Sequence, residues 1–157
     1  MSHVRQKYTL DEQYFDELDT VEKCYYFGLL MADGYMNEKT NTLVLSLQIC
    51  DMDIIKSFNN AIGSNRKIEI IEYSKKNPNW SDQAVLRITN KHFKESLVKK
   101  GLVGNKSLKI EFPNDIIPEE FYPAFLLGYS DGDGHYSKNA KDKRINFIAN
   151  EKFCKFV

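Results

Sequence analysis

Two aspartates in matching surroundings are the residues of this sequence best suited to chemistry. Asp33 lies near the end of the apolar stretch FGLLMADG, and Asp133 near the end of FLLGYSDGDG. When the two stretches are aligned on their glycines, Gly28 falls over Gly128 and Asp33 falls over Asp133. Carboxylate oxygens are the ligands that Mg²⁺ prefers. Two such acids brought together would form a cation site able to assist hydrolysis.

Each acid is predicted to lie at the C-terminus of a helix. Residues 21–33 form one predicted helix, with Asp19 or Thr20 as its N-cap and Gly34 as its C′ residue. Residues 118–133 form the other. An acid at a helix C-terminus meets the negative end of the macrodipole, which costs roughly 0.3–1 kcal/mol. A divalent cation bound between the two acids would reverse that cost, so the pattern indicates a metal site.

Small residues within these helices indicate how the acids are brought together. Gly28 and Ala32 are four residues apart, as are Gly128 and Gly132. Residues at this spacing lie on one helix face, and their small size allows two helix axes to approach closely. These four residues are therefore the predicted interface between the helices, with both C-terminal ends on the same side.

Two other interpretations of these stretches were weighed. An apolar helix that ends in Asp-Gly is, taken singly, more typical of an ordinary C-cap. The matched pair favours the cation site. A calcium loop over residues 131–142 is excluded, because its sixth position is Tyr136 rather than glycine and its twelfth is Asp142 rather than glutamate.

The rest of the chain predicts an α+β fold. A capping-box pattern, TLDE, predicts a short helix from Thr9 to Leu18. Alternating and helical apolar periods then predict the order helix, strand, strand, helix, strand, strand, helix, and a second, partial copy of this order. The predicted strands are 34–38, 43–49, 66–73, 83–89, HYSK and RINFIA, and the further helices are 51–63, 90–101 and NEKFCKFV. The predicted divisions are an N-terminal extension at 1–19, a first half at 20–112, and a linker with an incomplete second half at 113–157.

Composition narrows the class of protein. Hydrophobic residues make up 42% of the 157, enough for a packed interior rather than disorder. Lys plus Arg and Asp plus Glu both number 22, and this balance neither supports nor excludes nucleic-acid binding. The three cysteines have no zinc-ligand spacing, and the longest apolar run is too short to cross a membrane. We therefore expect an intracellular protein, in the cytoplasm, nucleoid or an organelle, without a membrane segment.

The stretches YFGLLMADG and LLGYSDGDG resemble the two signature motifs of the LAGLIDADG homing endonucleases. This resemblance implies motif helices at a pseudo-two-fold interface, an antiparallel sheet saddle over double-stranded DNA, and Mg²⁺ or Mn²⁺ as cofactor. It also implies Asp33 and Asp133 as catalytic metal ligands, with backbone carbonyls of Ala32 and Gly132 adding oxygens. Lys106 lies where the family often places a catalytic lysine, although an ordinary solvated loop lysine is an equal alternative.

The activity implied is site-specific cleavage of DNA by metal-assisted phosphodiester hydrolysis, as in enzymes of mobile introns or inteins. Met31 departs from the motif, which usually has an acid there, whereas Asp131 keeps that acid in the second copy. Because the second half is incomplete, three alternatives stay open: a non-cleaving DNA-binding protein, a maturase acting on intron RNA, and an inactive remnant. A monomer is expected, with a homodimer as the alternative.

Polar residues on the predicted strands and turns are the candidates for DNA contact. Their side chains are types that reach base edges or phosphates. The alternative for each is the solvated face of a half-buried sheet. The candidates are Ser46, Gln48, Arg66, Lys67, Lys75, Lys76, Gln83 and Arg87.

Overall fold

Helices and pairs of antiparallel strands alternate along the chain. The computed structural model describes residues 8–37, 39–103, 111–133, 135–136, 145–146 and 151–154. The α+β class and the predicted order from α1 to α3 are confirmed. The helices are α1 (Val21–Asp33), α2 (Met52–Ala61), α3 (Lys91–Lys99), α4 (Tyr122–Asp133) and α5 (Glu151–Cys154). The strands are β1 (Gly34–Asn37), β2 (Thr42–Gln48), β3 (Glu69–Ile71), β4 (Gln83–Thr89), β5 (His135–Tyr136) and β6 (Ile145–Asn146).

The first four strands form one antiparallel sheet in the order β1-β2-β4-β3, and β5 pairs with β6 separately. Leu45 lies opposite Gly34 on one side and Leu86 on the other. The period-2 alternation sends one set of side chains to the core face of the sheet. On β2 and β4 that set is Leu43, Leu45, Leu47, Ala84, Leu86 and Ile88, all of them buried. The opposite face carries most of the polar residues.

Aromatic rings fill the space behind α1 and α4. Phe15 lies at the centre of one group, with its ring centroid 5.4 Å from that of Phe93 and 6.5 Å from that of Phe27. Phe125 lies in a second group, 6.2 Å from Phe153. The 5.9 Å contact between Phe27 and Phe125 joins the two groups. The two motif helices therefore share one core. Within the described residues, no helix is long and apolar enough to cross a membrane.

Side-chain hydrogen bonds cap the starts of α1 and α3, whereas the end of α1 differs from the prediction. The Thr20 side chain accepts a hydrogen bond from the Lys23 amide at the start of α1. The predicted left-handed C′ role of Gly34 is wrong, because its φ is −68° and its ψ is 140°. The chain passes straight from α1 into β1 there. A Cβ on Gly34 would lie 2.6 Å from the Leu30 carbonyl oxygen, so close backbone packing excludes any side chain.

The segment predicted to form a short helix before α1 forms turns instead. Its backbone is tied to the end of α2: the Thr9 amide donates to Asn65 Oδ1 at 2.9 Å, and the Asp11 amide donates to the Ile62 carbonyl at 2.9 Å. Beside these tertiary hydrogen bonds the segment makes turn bonds of its own, such as that from the Asp16 amide to the Gln13 carbonyl at 2.8 Å. The capping-box prediction fails because a local signal cannot weigh tertiary partners.

The largest differences in the boundaries lie at the starts of β3 and α4, and the other boundaries from α1 to α3 differ from the prediction by at most two residues. β3 begins only at Glu69, so Arg66 and Lys67 lie before the strand. The helix predicted from Pro118 starts as a 3₁₀ turn over Glu119–Phe121 and becomes α-helical at Tyr122.

Hydrogen bonds fasten the segment before α1 to α3. The Asp16 carboxylate lies 2.8 Å from His92 Nε2 and accepts a hydrogen bond from Ser96 Oγ. Lys100 Nζ donates to the Asp16 carbonyl at 2.8 Å. The hydrogen bond from Ser96, followed by that from His92, lowers the pKa of Asp16 below its usual value.

We predict that these hydrogen bonds make stability depend on pH in the acid range. A lowered carboxyl pKa contributes stability above the unfolded-state pKa of about 3.9, and the contribution is lost as pH falls towards the folded-state pKa. Asp16→Asn should therefore lower the free energy of unfolding at pH 7, and its difference from wild type should shrink below about pH 4. Urea unfolding at several pH values measures this. Asp53→Asn, at a side chain 93% exposed, is the control. An Asp16→Asn difference that does not vary with pH would contradict the assignment.

Candidate metal and nucleic-acid site

α1 and α4 lie side by side, with backbone contact at two glycines. A Cβ placed on Gly28 would lie 2.1 Å from the Phe125 carbonyl oxygen. A Cβ placed on Gly128 would lie 1.9 Å from the Tyr25 carbonyl oxygen. No side chain fits at either position. The Cα–H groups of both glycines face carbonyl oxygens, a weak but recurring attraction where helices approach closely.

The two helices run in the same direction and end together. A Cβ on Gly132 would lie 2.5 Å from the Ala32 Cβ and 2.8 Å from Asp33 Oδ2. The half-buried carboxylate of Asp33 is thus in contact with the backbone of the residue that precedes Asp133. α4 ends at Asp133, whose side chain lies outside the described residues.

The electrostatics at this end favour a cation. Two helix C-termini place their negative dipole ends beside the Asp33 carboxylate. Neither α1 nor α4 carries a basic residue in its last turn. An oxygen donor in a negative potential suits Mg²⁺ or Mn²⁺. Across the described residues, no group of three or more His, Cys, Asp or Glu side chains is arranged to hold a metal. A cation here would thus depend on Asp33 together with Asp133 and backbone oxygens.

The equivalent positions 31 and 131 have different environments. Met31 is buried, with 1% of its surface exposed, whereas Asp131 is exposed. Asp131 Oδ2 accepts a hydrogen bond of 2.8 Å from the Tyr25 hydroxyl, across the helix interface. The acid that the first motif lacks is therefore used, in the second, for a contact between the helices.

Four of the predicted DNA-contacting residues share the outer face of the sheet. Gln48 lies opposite Gln83 in the register, and Ser46 Oγ donates to Gln83 Oε1 at 3.1 Å. Arg87 Nε donates to Glu69 Oε2 at 3.3 Å. Val85 lies among them on the same face and is buried. Of the four, Ser46, Gln83 and Arg87 are partly buried and Gln48 is exposed.

The other four lie in loops. The Arg66 guanidinium lies over the Tyr8 ring, 5.2 Å from its centroid. Lys67 precedes β3 and is exposed. Lys75 Nζ lies 2.6 Å from Glu72, and the hydrogen bond to Glu72 raises the pKa of Lys75. Lys76 is exposed in the same turn. The structure does not gather these four onto the sheet face. Lys106 lies outside the described residues.

The sequence analysis did not single out one residue of the outer sheet face and one residue of the helix interface. Tyr35 on β1 lies opposite Val44, on the outer face, with 53% of its surface exposed. Strand alternation alone would have placed it there. Tyr25 lies three residues before Gly28, on the interface stripe, and the same helical spacing could have identified it.

We predict that Gly128→Ala destabilises the protein, although alanine is the better helix former by about 1 kcal/mol. The added Cβ would meet the Tyr25 carbonyl oxygen, and overpacking against backbone costs about 3 kcal/mol. Urea unfolding measures the free energy. Gly101→Ala is the comparison: nothing lies within 4 Å of that site, so only its φ of +97° is strained, at about 1–2 kcal/mol. Gly128→Ala should cost a net ~2 kcal/mol after the gain in helix propensity, and a Gly128→Ala protein as stable as the wild type or more stable would contradict the backbone contact.

No protein-family model matches the sequence. The chain is 29% identical over 123 residues to an uncharacterized protein of Methanocaldococcus jannaschii. The match covers 77% of this chain and 44% of that protein, so the chain spans less than half of the length of this curated relative. The name of the relative states no activity.

Proposed function

We propose that this chain is a site-specific double-stranded DNA endonuclease of the LAGLIDADG homing type, in which Asp33 and Asp133 hold the catalytic cations. The observation that carries the proposal is the contact at the ends of the motif helices. The Asp33 carboxylate lies 2.8 Å from where a Cβ on Gly132 would be. Both helices therefore end in an acid at the same place.

The helix dipoles support a cation at this end of the interface. Each acid stands at the unfavourable end of a helix dipole, and close helix packing brings Gly132, the residue before the second acid, against the first. Glycines at 28, 128 and 132 are what allow that approach. A cation bound between the acids would offset the negative charge of the helix dipoles and of the carboxylates.

The outer sheet face supports double-stranded DNA as the substrate. Ser46, Gln48, Gln83 and Arg87 offer hydroxyl, amide and guanidinium groups of the types that read base edges or hold phosphates. In this structure Arg87 is held by Glu69, and Ser46 by Gln83. DNA would exchange these partners for its own acceptors. In the proposed fold this sheet forms one side of the saddle over the duplex, and the second half supplies the other.

The chain's own residues have distinct roles in the proposed reaction. Bound Mg²⁺ or Mn²⁺ would activate a water and neutralise the leaving oxygen. Asp33 and Asp133 hold the cations, and backbone carbonyls of Ala32 and Gly132 add oxygen ligands. The apolar interface behind them excludes water from one side. Lys106 would polarise the attacking water or stabilise charge, a role that rests on the family resemblance.

We predict that cutting depends on both the divalent cation and the acids. A randomised double-stranded DNA library is incubated with the protein and Mg²⁺ or Mn²⁺, and cut ends are captured and sequenced. Asp33→Asn and Asp133→Asn should lower cutting by on the order of 100-fold or more, since even indirect partners of a metal cost 10–100-fold. Asp53→Asn, an exposed acid of α2, is the matched control and should leave cutting unchanged.

Binding is tested separately from cutting. Arg87→Ala should weaken retention of the captured sequences without metal, whereas Lys56→Ala, an ion-paired cation on α2, should not. Retention without metal-dependent cutting by the wild type would make the chain a non-cleaving DNA-binding protein. Binding of structured intron RNA with promotion of splicing would make it a maturase. Absence of both would indicate an inactive remnant. Cutting unaffected by Asp33→Asn would overturn the assigned site.

A further inference from the structure

We infer that Tyr25 is a positioning residue, whose hydrogen bond to Asp131 sets how the end of α4 lies against the end of α1. The predicted effect on metal binding rests on the proposed function. The geometry of the two helices does not depend on it. The Tyr25 hydroxyl donates to Asp131 Oδ2 at 2.8 Å. The bond crosses the interface and ends two residues before Asp133.

The contacts of Gly28 and Gly128 by themselves leave one motion weakly restrained, and the contact of Gly132 with Ala32 and Asp33 lies at the end that this motion would shift. The first two contacts lie at the middle of the interface, where Gly28 meets Phe125 and Gly128 meets Tyr25. Helices in backbone contact there lack the interdigitating side chains that normally fix a crossing angle. The two glycines thus act as a pivot, and a small rotation about it shifts the C-terminal ends, where Asp33 lies.

The Tyr25–Asp131 hydrogen bond supplies a second fixed point. It starts beside the pivot and reaches α4 about one turn further towards the acids. A hydrogen bond to a carboxylate is stronger than one between neutral groups. Together, the pivot and this bond determine both the contact point and the angle of the two helices.

The bond exists on one side of the interface only. The equivalent positions are Phe125, which has no hydroxyl, and Met31, which has no carboxylate. Both are buried in the apolar core. Methionine fills space without fixing direction. The Tyr25–Asp131 bond therefore adds a directional restraint that has no counterpart between Phe125 and Met31.

Loss of this restraint should alter metal binding more than stability. Ligands must be held within about 0.5 Å of productive geometry, and small displacements of catalytic groups cost up to about 100-fold in rate. Tyr25→Phe removes one hydroxyl and keeps the ring, so the core is conserved. Asp131→Ala removes the acceptor, whereas Asp131→Asn keeps a carbonyl oxygen that can accept from Tyr25.

The geometry is tested by the distance between two spin labels, one at the start of α1 and one in the 3₁₀ turn that leads into α4. Val21→Cys and Glu120→Cys carry the labels at exposed sites, in a Cys50→Ser, Cys154→Ser background. The remaining Cys24 is buried, and burial raises the pKa of its thiol to about 11, which keeps it unreactive. Rotation about the pivot moves these N-terminal ends as well as the acids. Pulsed electron paramagnetic resonance then measures the distribution of distances between the two labels.

Tyr25→Phe and Asp131→Ala should each broaden or shift this distribution, and Asp131→Asn should restore it towards that of the wild type. Tyr122→Phe is the matched control, because the Tyr122 hydroxyl donates to the Asn114 carbonyl and does not cross to α1. It should leave the distribution unchanged. A wild-type distribution in the Tyr25→Phe protein would overturn the inference.

The consequence is measured as the Mn²⁺ concentration that gives half-maximal cutting of a captured DNA site. Tyr25→Phe should raise it by roughly 10-fold or more while DNA retention without metal is unchanged. The Tyr25→Phe/Asp131→Ala double variant should be no worse than Tyr25→Phe, because both remove one bond. Additive losses would overturn the coupling. If the wild type cuts no DNA, the proposed function fails, and the distance measurement still decides the geometry.

Discussion

The backbone contact between α1 and α4 is the constraint on which the rest of the structure depends. Gly28 and Gly128 each face a carbonyl oxygen of the opposite helix, at distances that exclude a single added carbon. Because the helices touch there, the aromatic groups behind them merge into one core through Phe27 and Phe125. For the same reason both helix ends lie together. The position of the sheet follows, since β1 starts directly at the end of α1.

That packing gathers negative charge at one end of the helix pair. Two helix dipoles point their negative ends at one place, and an acid ends each helix. This concentration of negative charge, together with the contact of Asp33 with the position of Gly132, is the ground for the proposed cation site. On the same interface, the Tyr25 hydroxyl donates to Asp131.

Particular residues show how far the sequence could be interpreted. The alternation in LVLSLQI and QAVLRIT predicted β2 and β4 well, because a buried face leaves a period-2 record in residue type. Thr20, one of the two predicted caps of α1, and Asn90, the first residue of the predicted helix 90–101, do cap their helices, since a cap is a local interaction. Thr9 starts no helix, because its amide donates to Asn65 and its segment forms turns. Gly34 was expected as the C′ residue of α1, in the left-handed conformation typical of that position. Its backbone is extended instead, and glycine fits there because a Cβ would lie too close to the Leu30 carbonyl oxygen. Arg66 and Lys67 were assigned to a strand that begins only at Glu69.

The sequence by itself was enough to predict the order of the elements, the small residues of the helix interface and the position of the two acids at helix ends. Periodicity, capping and spacing are properties of residues that are close together in the chain. Only the tertiary structure decided that Asp33 lies against Gly132, that Tyr25 bonds Asp131 across the interface, and that Arg87 is held by Glu69. The first two pairs join residues about a hundred positions apart, and their contact depends on how two helices pack. The third depends on where β3 begins and on its register with β4, which packing decides and residue type alone does not record.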